Sequence, residues 1–179
     1  KVAGPKSSLR GLDIKQFNEI LGPPREGYEY AAHWLKEDMN AGHGSEGAWT
    51  VGEERSFKGR SLLVICERGY HASPSLWDAL QYAPGPMACL VEISTPVARQ
   101  RDKSVSKSRK LLAAVDVSNE LRQFAIDCAT RALEQARAAG REPDERSWAA
   151  VRAAQAFLRG EITPEQLSAA AYAAYAAAS

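Results

Sequence analysis

A phenol, an imidazole and a hydroxyl fall within four residues at Tyr70-His71-Ala72-Ser73, with the thiol of Cys66 and the carboxylate of Glu67 just upstream. Such groups relay protons, supply a nucleophile or hold a polar ligand when a turn gathers them on one side. Gly69 precedes them, and its missing Cβ permits that turn. The apolar run at residues 62–66 reads as a strand entering the turn. Pro74 then suits the first turn of a helix capped by Ser73, with Leu76, Ala79, Leu80 and Ala83 as its apolar face and Pro84-Gly85 as its stop. A second strand at residues 87–95 would set Glu92 beside the strand that carries His71.

Other reactive side chains are more dispersed. Cys66, His71, Cys89 and Cys128 are zinc-compatible types, but no paired Cys-x-x-Cys occurs and no metal site is expected. The three cysteines sit in apolar patterns, which points to buried, reduced thiols in a cytoplasmic protein; a Cys66–His71 nucleophilic pair is the alternative use. Residues 99–110 carry Arg99, Arg101, Lys103, Lys107, Arg109 and Lys110 against Asp102 alone. The expected role is a solvated connector, with an acidic partner or phosphate as functional alternatives. The run contains no aromatic to stack on a base, so nucleic-acid binding is not favoured. No phosphate-binding loop, dinucleotide fingerprint or nucleophile elbow is present.

The elements that must position these residues divide the chain in two. Every lysine lies at or before Lys110, and alanine dominates afterwards; residues 1–115 carry a net charge of +3 and residues 116–179 carry −2. The first unit reads as helices near 12–21 and 30–39, a glycine-rich loop with His43, and strands flanking the Ser73 helix. In the second, Leu121, Phe124, Ala125, Cys128, Ala129, Ala132 and Leu133 follow a helical rhythm closed by Gly140. A helix from Pro143-Asp144 presents Trp148, Val151, Ala154 and Leu158 and stops at Gly160. Thr163-Pro164-Glu165-Gln166 opens a third, alanine-rich helix through a capping box. The expected fold is therefore α+β, a small mixed or antiparallel sheet with short helices followed by a three-helix unit. Trp34, Trp49, Trp77 and Trp148 read as core anchors. A net charge of +1 over 179 residues gives no global attraction to nucleic acid or an anionic surface, and no apolar run suggests a membrane span.

From Cys66 through Gly85 and on to Val91-Glu92, the chain resembles a domain common in phage and prophage proteins, marked by a C-x-x-G-aromatic-H-A turn. That domain brings no established activity. Residues 121–129 and 156–162, with the alanine-rich helix after them, resemble immunity proteins of polymorphic-toxin systems. This implies a non-catalytic partner for a toxin or a host defence protein. Gly69-Tyr70-His71-Ala72-Ser73 with the following helix is also similar to the second motif of ADP-ribosyltransferases. That resemblance implies NAD as a cofactor, Arg10 as a first-motif arginine, Ser73 at the ribose and Glu92 as the acid. Protein binding without catalysis is the leading expectation, and NAD-dependent transfer is the alternative.

Overall fold

A computed structural model describes residues 18–19, 21–42, 46–59 and 62–177 and confirms an α+β architecture. The chain divides into two compact units between Val117 and Ser118. In the first unit, β1 (Tyr28–Leu35), β4 (Met87–Ser94), β7 (Ser108–Asp116) and β2 (Glu54–Ser56) form an antiparallel sheet in the order β1-β4-β7-β2. A smaller sheet has the order β3-β6-β5, from β3 (Tyr70–Ala72), β6 (Ser104–Ser106) and β5 (Ala98–Arg99). A bridge between Ala32 and Ser73 ties the two sheets, with reciprocal backbone bonds of 2.8 and 2.9 Å.

The segment expected as a helix at 30–39 is mostly strand β1. Its odd-numbered Ala31 and Leu35 enter the core with Val91, Ile93 and Leu111, while Trp34 on the other face donates to the Leu76 carbonyl at 3.2 Å. A strand buried on both faces has no polar side, so its periodicity resembles that of a buried helix. Pairing with β4, which sets Tyr30 opposite Glu92 and His33 opposite Cys89, decides the conformation. Residues 62–66 are likewise not the expected strand. Val64 and Arg68 exchange backbone bonds of 2.9 Å around a tight turn, and Leu62 is exposed.

The basic run is not a connector. It supplies β5, β6 and the start of β7, and Arg109 is 2% exposed. Its cations consequently point in several directions instead of forming one solvated stripe. The expected helix at 12–21 falls largely outside the described residues; its visible end, Asn18, Glu19 and Leu21, is helical.

In the second unit, α2 (Ser118–Ala138), α3 (Glu145–Leu158) and α4 (Pro164–Ala177) follow the short α1 (Leu76–Leu80) of the first. Asp144 caps α3 by accepting from the Arg146 N–H at 2.8 Å. The capping box of α4 is reciprocal, with Thr163 N–H donating to Gln166 Oε1 at 2.8 Å and Gln166 N–H to Thr163 Oγ1 at 3.4 Å. The buried face of α2 differs from the expected one, since Ile126 is 4% exposed whereas Phe124 is 40% exposed and Cys128 lies on the surface. Alanine on either side of the helix permits close approach, so the larger Ile126 determines which side turns inward.

Candidate functional site

His71 owes its position to the turn before it. Gly69 has φ +116°, and a Cβ there would stand 2.5 Å from Val105 Cγ2, so glycine is required both by conformation and by space. Cys66 also adopts a left-handed backbone, φ 68°, and its N–H donates to His71 Nε2 at 2.9 Å. The imidazole therefore fastens the turn from inside. Burial and the charge of Arg109 lower its pKa, favouring the neutral ring that can accept this bond.

Beneath the turn lies Arg109. It donates to the His71 carbonyl at 2.8 Å and to Glu46 at 2.5 Å, and its guanidinium lies 4.5 Å from the Trp49 ring centroid and 5.3 Å from that of Tyr70. Burial opposes its charge, while Glu46 and the aromatic faces compensate. Trp49 also donates to Glu46 at 2.9 Å, so one carboxylate satisfies both the indole and the cation.

The cleft above this network has a volume of about 380 Å³. His71, Ser73 and Tyr82 line it together with His33 and Trp34 from β1, and Cys66 and Lys103 are also on its lining. Lys103 Nζ donates to Cys66 Sγ at 3.0 Å and sits 4.7 Å from the Tyr82 ring centroid; the hydrogen bond it donates to Cys66 raises its pKa. Tyr82 in turn donates to Asp102 at 2.5 Å. His33 was not singled out in sequence as a site residue. Its Nε2 is buried without a hydrogen-bond partner, and burial, reinforced by Arg109 and His71, holds its pKa well below the usual value.

The residues expected to do chemistry are only partly brought together. Ser73 lines the cleft, but the cap of α1 is Ser75, whose Oγ accepts from the Asp78 N–H at 3.0 Å. Glu92 is not solvent-facing. It is 5% exposed and accepts from the Arg25 N–H and Nε at 3.1 and 2.6 Å. Val91 and Ile93 on either side enter the core, so strand alternation turns Glu92 to the opposite face, and it is not a wall of the cleft. The carboxylates that do line the cleft are Glu46, engaged by Arg109, and Glu67. Arg10 and His43 lie outside the described residues.

The basic residues are similarly divided. Arg99 pairs with Glu29, Arg109 with Glu46, Lys107 is exposed at a bend, and Lys110 lies opposite both Glu54 and Glu92 in register. Arg101 and Lys103 line a second depression of about 240 Å³. Two of the three thiols depart from expectation: Cys89 is buried as expected, and burial pushes its pKa up to about 12, whereas Cys66 and Cys128 are exposed. Among the described residues, no group of three or more metal-ligating side chains occurs and no helix is long and apolar enough to cross a membrane. Trp34 and Trp49 are core residues, while Trp77 is 43% exposed.

The second unit contains a groove of about 540 Å³ between its helices. Ala125, Ala129 and Leu133 of α2 face Val151 and Phe157 of α3 across it, and Leu167 of α4 contributes a further wall. Arg122 stands at this groove with its guanidinium 5.4 Å from the Phe157 ring centroid. Comparison of the chain with protein-family models, curated proteins and solved structures finds no match.

Proposed function

We propose that this chain is a cytoplasmic, non-catalytic binding protein that recognises a toxin or a host defence protein in a conflict between phage and bacterium or between toxin and immunity. The observation carrying this reading is the apolar groove of the helical unit. Its 540 Å³ volume and walls of alanine, Ile126, Leu133, Val151 and Phe157 suit an apolar segment of another protein. Arg122 at the wall adds a site for a carboxylate flanking that segment. The resemblance to immunity proteins falls on α2, the end of α3 and α4, and all three helices line the groove.

The other two readings have less geometric support. NAD-dependent transfer needs Ser73 and Glu92 at one cleft, whereas Arg25 holds Glu92 on another face. A nucleic-acid interface needs a continuous basic track, whereas Arg99 and Arg109 are engaged by carboxylates.

The test uses the purified full chain and a toxin or defence protein that co-purifies with it. Ala129→Arg places a long cation at an exposed groove position and should weaken the complex at least tenfold, with the circular dichroism of the free protein unchanged. Retained affinity for this variant would overturn the assignment.

A further inference from the structure

The two depressions of the α+β unit share Ser73 and Lys103, so they adjoin. Their chemistry differs. The larger has aromatic and apolar walls from Trp34, Ala72, Ala79, Tyr82 and Pro84, with the paired Glu46 and Arg109 and the carboxylate of Glu67 also on its lining. Within its lining, His33 Nε2 is buried and unpartnered. A buried polar atom without a partner is costly, and a ligand atom able to make one hydrogen bond would remove that cost. The imidazole is held neutral by its surroundings, so it suits an uncharged heteroaromatic edge.

The smaller depression is cationic and hydroxyl-bearing. Arg101 and Lys103 line it with Ser73, Ser104 and Tyr30; Glu29 is also present, but pairs with Arg99. The nearby carboxylate, Asp102, accepts from Tyr82 and from Gln81 at 2.5 and 2.9 Å. Two cations beside serine hydroxyls are the chemistry that binds phosphoryl oxygens. Lys103 stands at the junction, where it can contact an anion without leaving the Tyr82 ring.

From this juxtaposition we infer that the paired depressions form one nucleotide-binding site, with the base against His33 and Tyr82 and the phosphates at Lys103 and Arg101. A space of about 380 Å³ accommodates a nucleoside, and the adjoining 240 Å³ accommodates its phosphates. The site belongs to the α+β unit, so its failure would leave the proposed role of the helical groove standing.

Calorimetry on the full chain with the diphosphates of adenosine, guanosine, cytidine and uridine tests the assignment, with the matching nucleosides and pyrophosphate as separate probes. At least one nucleoside diphosphate should bind about tenfold or more tightly than both its nucleoside and pyrophosphate. Arg101→Ala with Lys103→Ala should reduce that diphosphate to the affinity of its nucleoside. His33→Leu should weaken the nucleoside and the diphosphate by the same factor; the surface double variant provides an independent readout if His33→Leu does not fold. Absence of binding by all four diphosphates would overturn the site. Pyrophosphate binding as tight as the best diphosphate, insensitive to His33→Leu, would reduce it to an anion patch and overturn the nucleotide assignment.

Discussion

In the α+β unit, the buried set includes Arg109, Glu92 and four serines, whereas the buried set of the helical unit consists of Ile126 and Val151 among the described residues. The first unit closes its core around polar groups: Arg109 joins Glu46, the His71 carbonyl and two aromatic faces, while His33 Nε2 and Ser106 Oγ are buried without a hydrogen-bond partner. The second relies on alanine-rich helix contacts and leaves a broad apolar groove. This difference teaches where function can be varied. A residue such as Arg109 serves the fold, so changing it disturbs everything around it, while an exposed groove residue such as Ala129 can be replaced with little effect on folding.

The sharpest way to break this comparison is to remove the buried cation. Arg109→Met should destabilise the α+β unit by about 3–5 kcal/mol, because Glu46 loses its ionic partner and the His71 carbonyl its donor. Arg122→Met in the helical unit should change stability by no more than about 0.5 kcal/mol. Urea denaturation of the two variants measures both. Equal costs would remove the distinction.

Within the helical unit, Ile126→Ala should cost about 2–5 kcal/mol through lost burial and a cavity. Phe124→Ala, on the exposed side, should cost about 1 kcal/mol or less. A larger loss at Phe124 than at Ile126, read from thermal unfolding, would restore the helix face expected from periodicity. Caps act more gently and alike in both units. Ser75→Ala and Asp144→Ala should each cost about 1 kcal/mol, measured by the same denaturation.

A pH slope is expected as well. His33 and His71 have folded-state pKa values below the usual 6.5, so the unfolded chain binds more protons as pH falls through that value. Stability is therefore retained above about pH 6.5 and declines below it, towards the folded values. Thermal melts between pH 7.5 and 5.5 should show this decline, and His33→Leu should flatten it. An unchanged slope would exclude His33 as a source.

What was legible in the sequence follows the range of the interactions. Asp144, the Thr163–Gln166 box and the glycines after α2 and α3 act within one turn, and the helix ends lie where those residues stand. Strand β4 was legible from its own β-rich run. Strand β1 was not, because Tyr30 to Leu35 is buried on both faces and its conformation depends on pairing with residues nearly sixty positions away. The Tyr70–Ser73 cluster was visible as chemistry, and His71, Ser73 and Tyr82 do line one cleft. Its His33 wall was hidden by the same misreading of β1. Glu92 was placed on the correct strand, but Arg25, 67 positions earlier, holds it away from the cleft. Ser73 and Ser75 both precede the helix, and the Asp78 N–H distinguishes them only in three dimensions.

Under the proposed function, partner recognition belongs to the helical groove. Titrating the co-purifying toxin or defence protein against the full chain, Ala129→Arg, and Arg101→Glu with Lys107→Glu tests it most directly. At least a tenfold loss is expected for Ala129→Arg, with wild-type affinity for the double variant across ionic strength. Wild-type affinity for Ala129→Arg, together with a salt-dependent loss for the double variant, would contradict it and move recognition to the basic surface of the α+β unit.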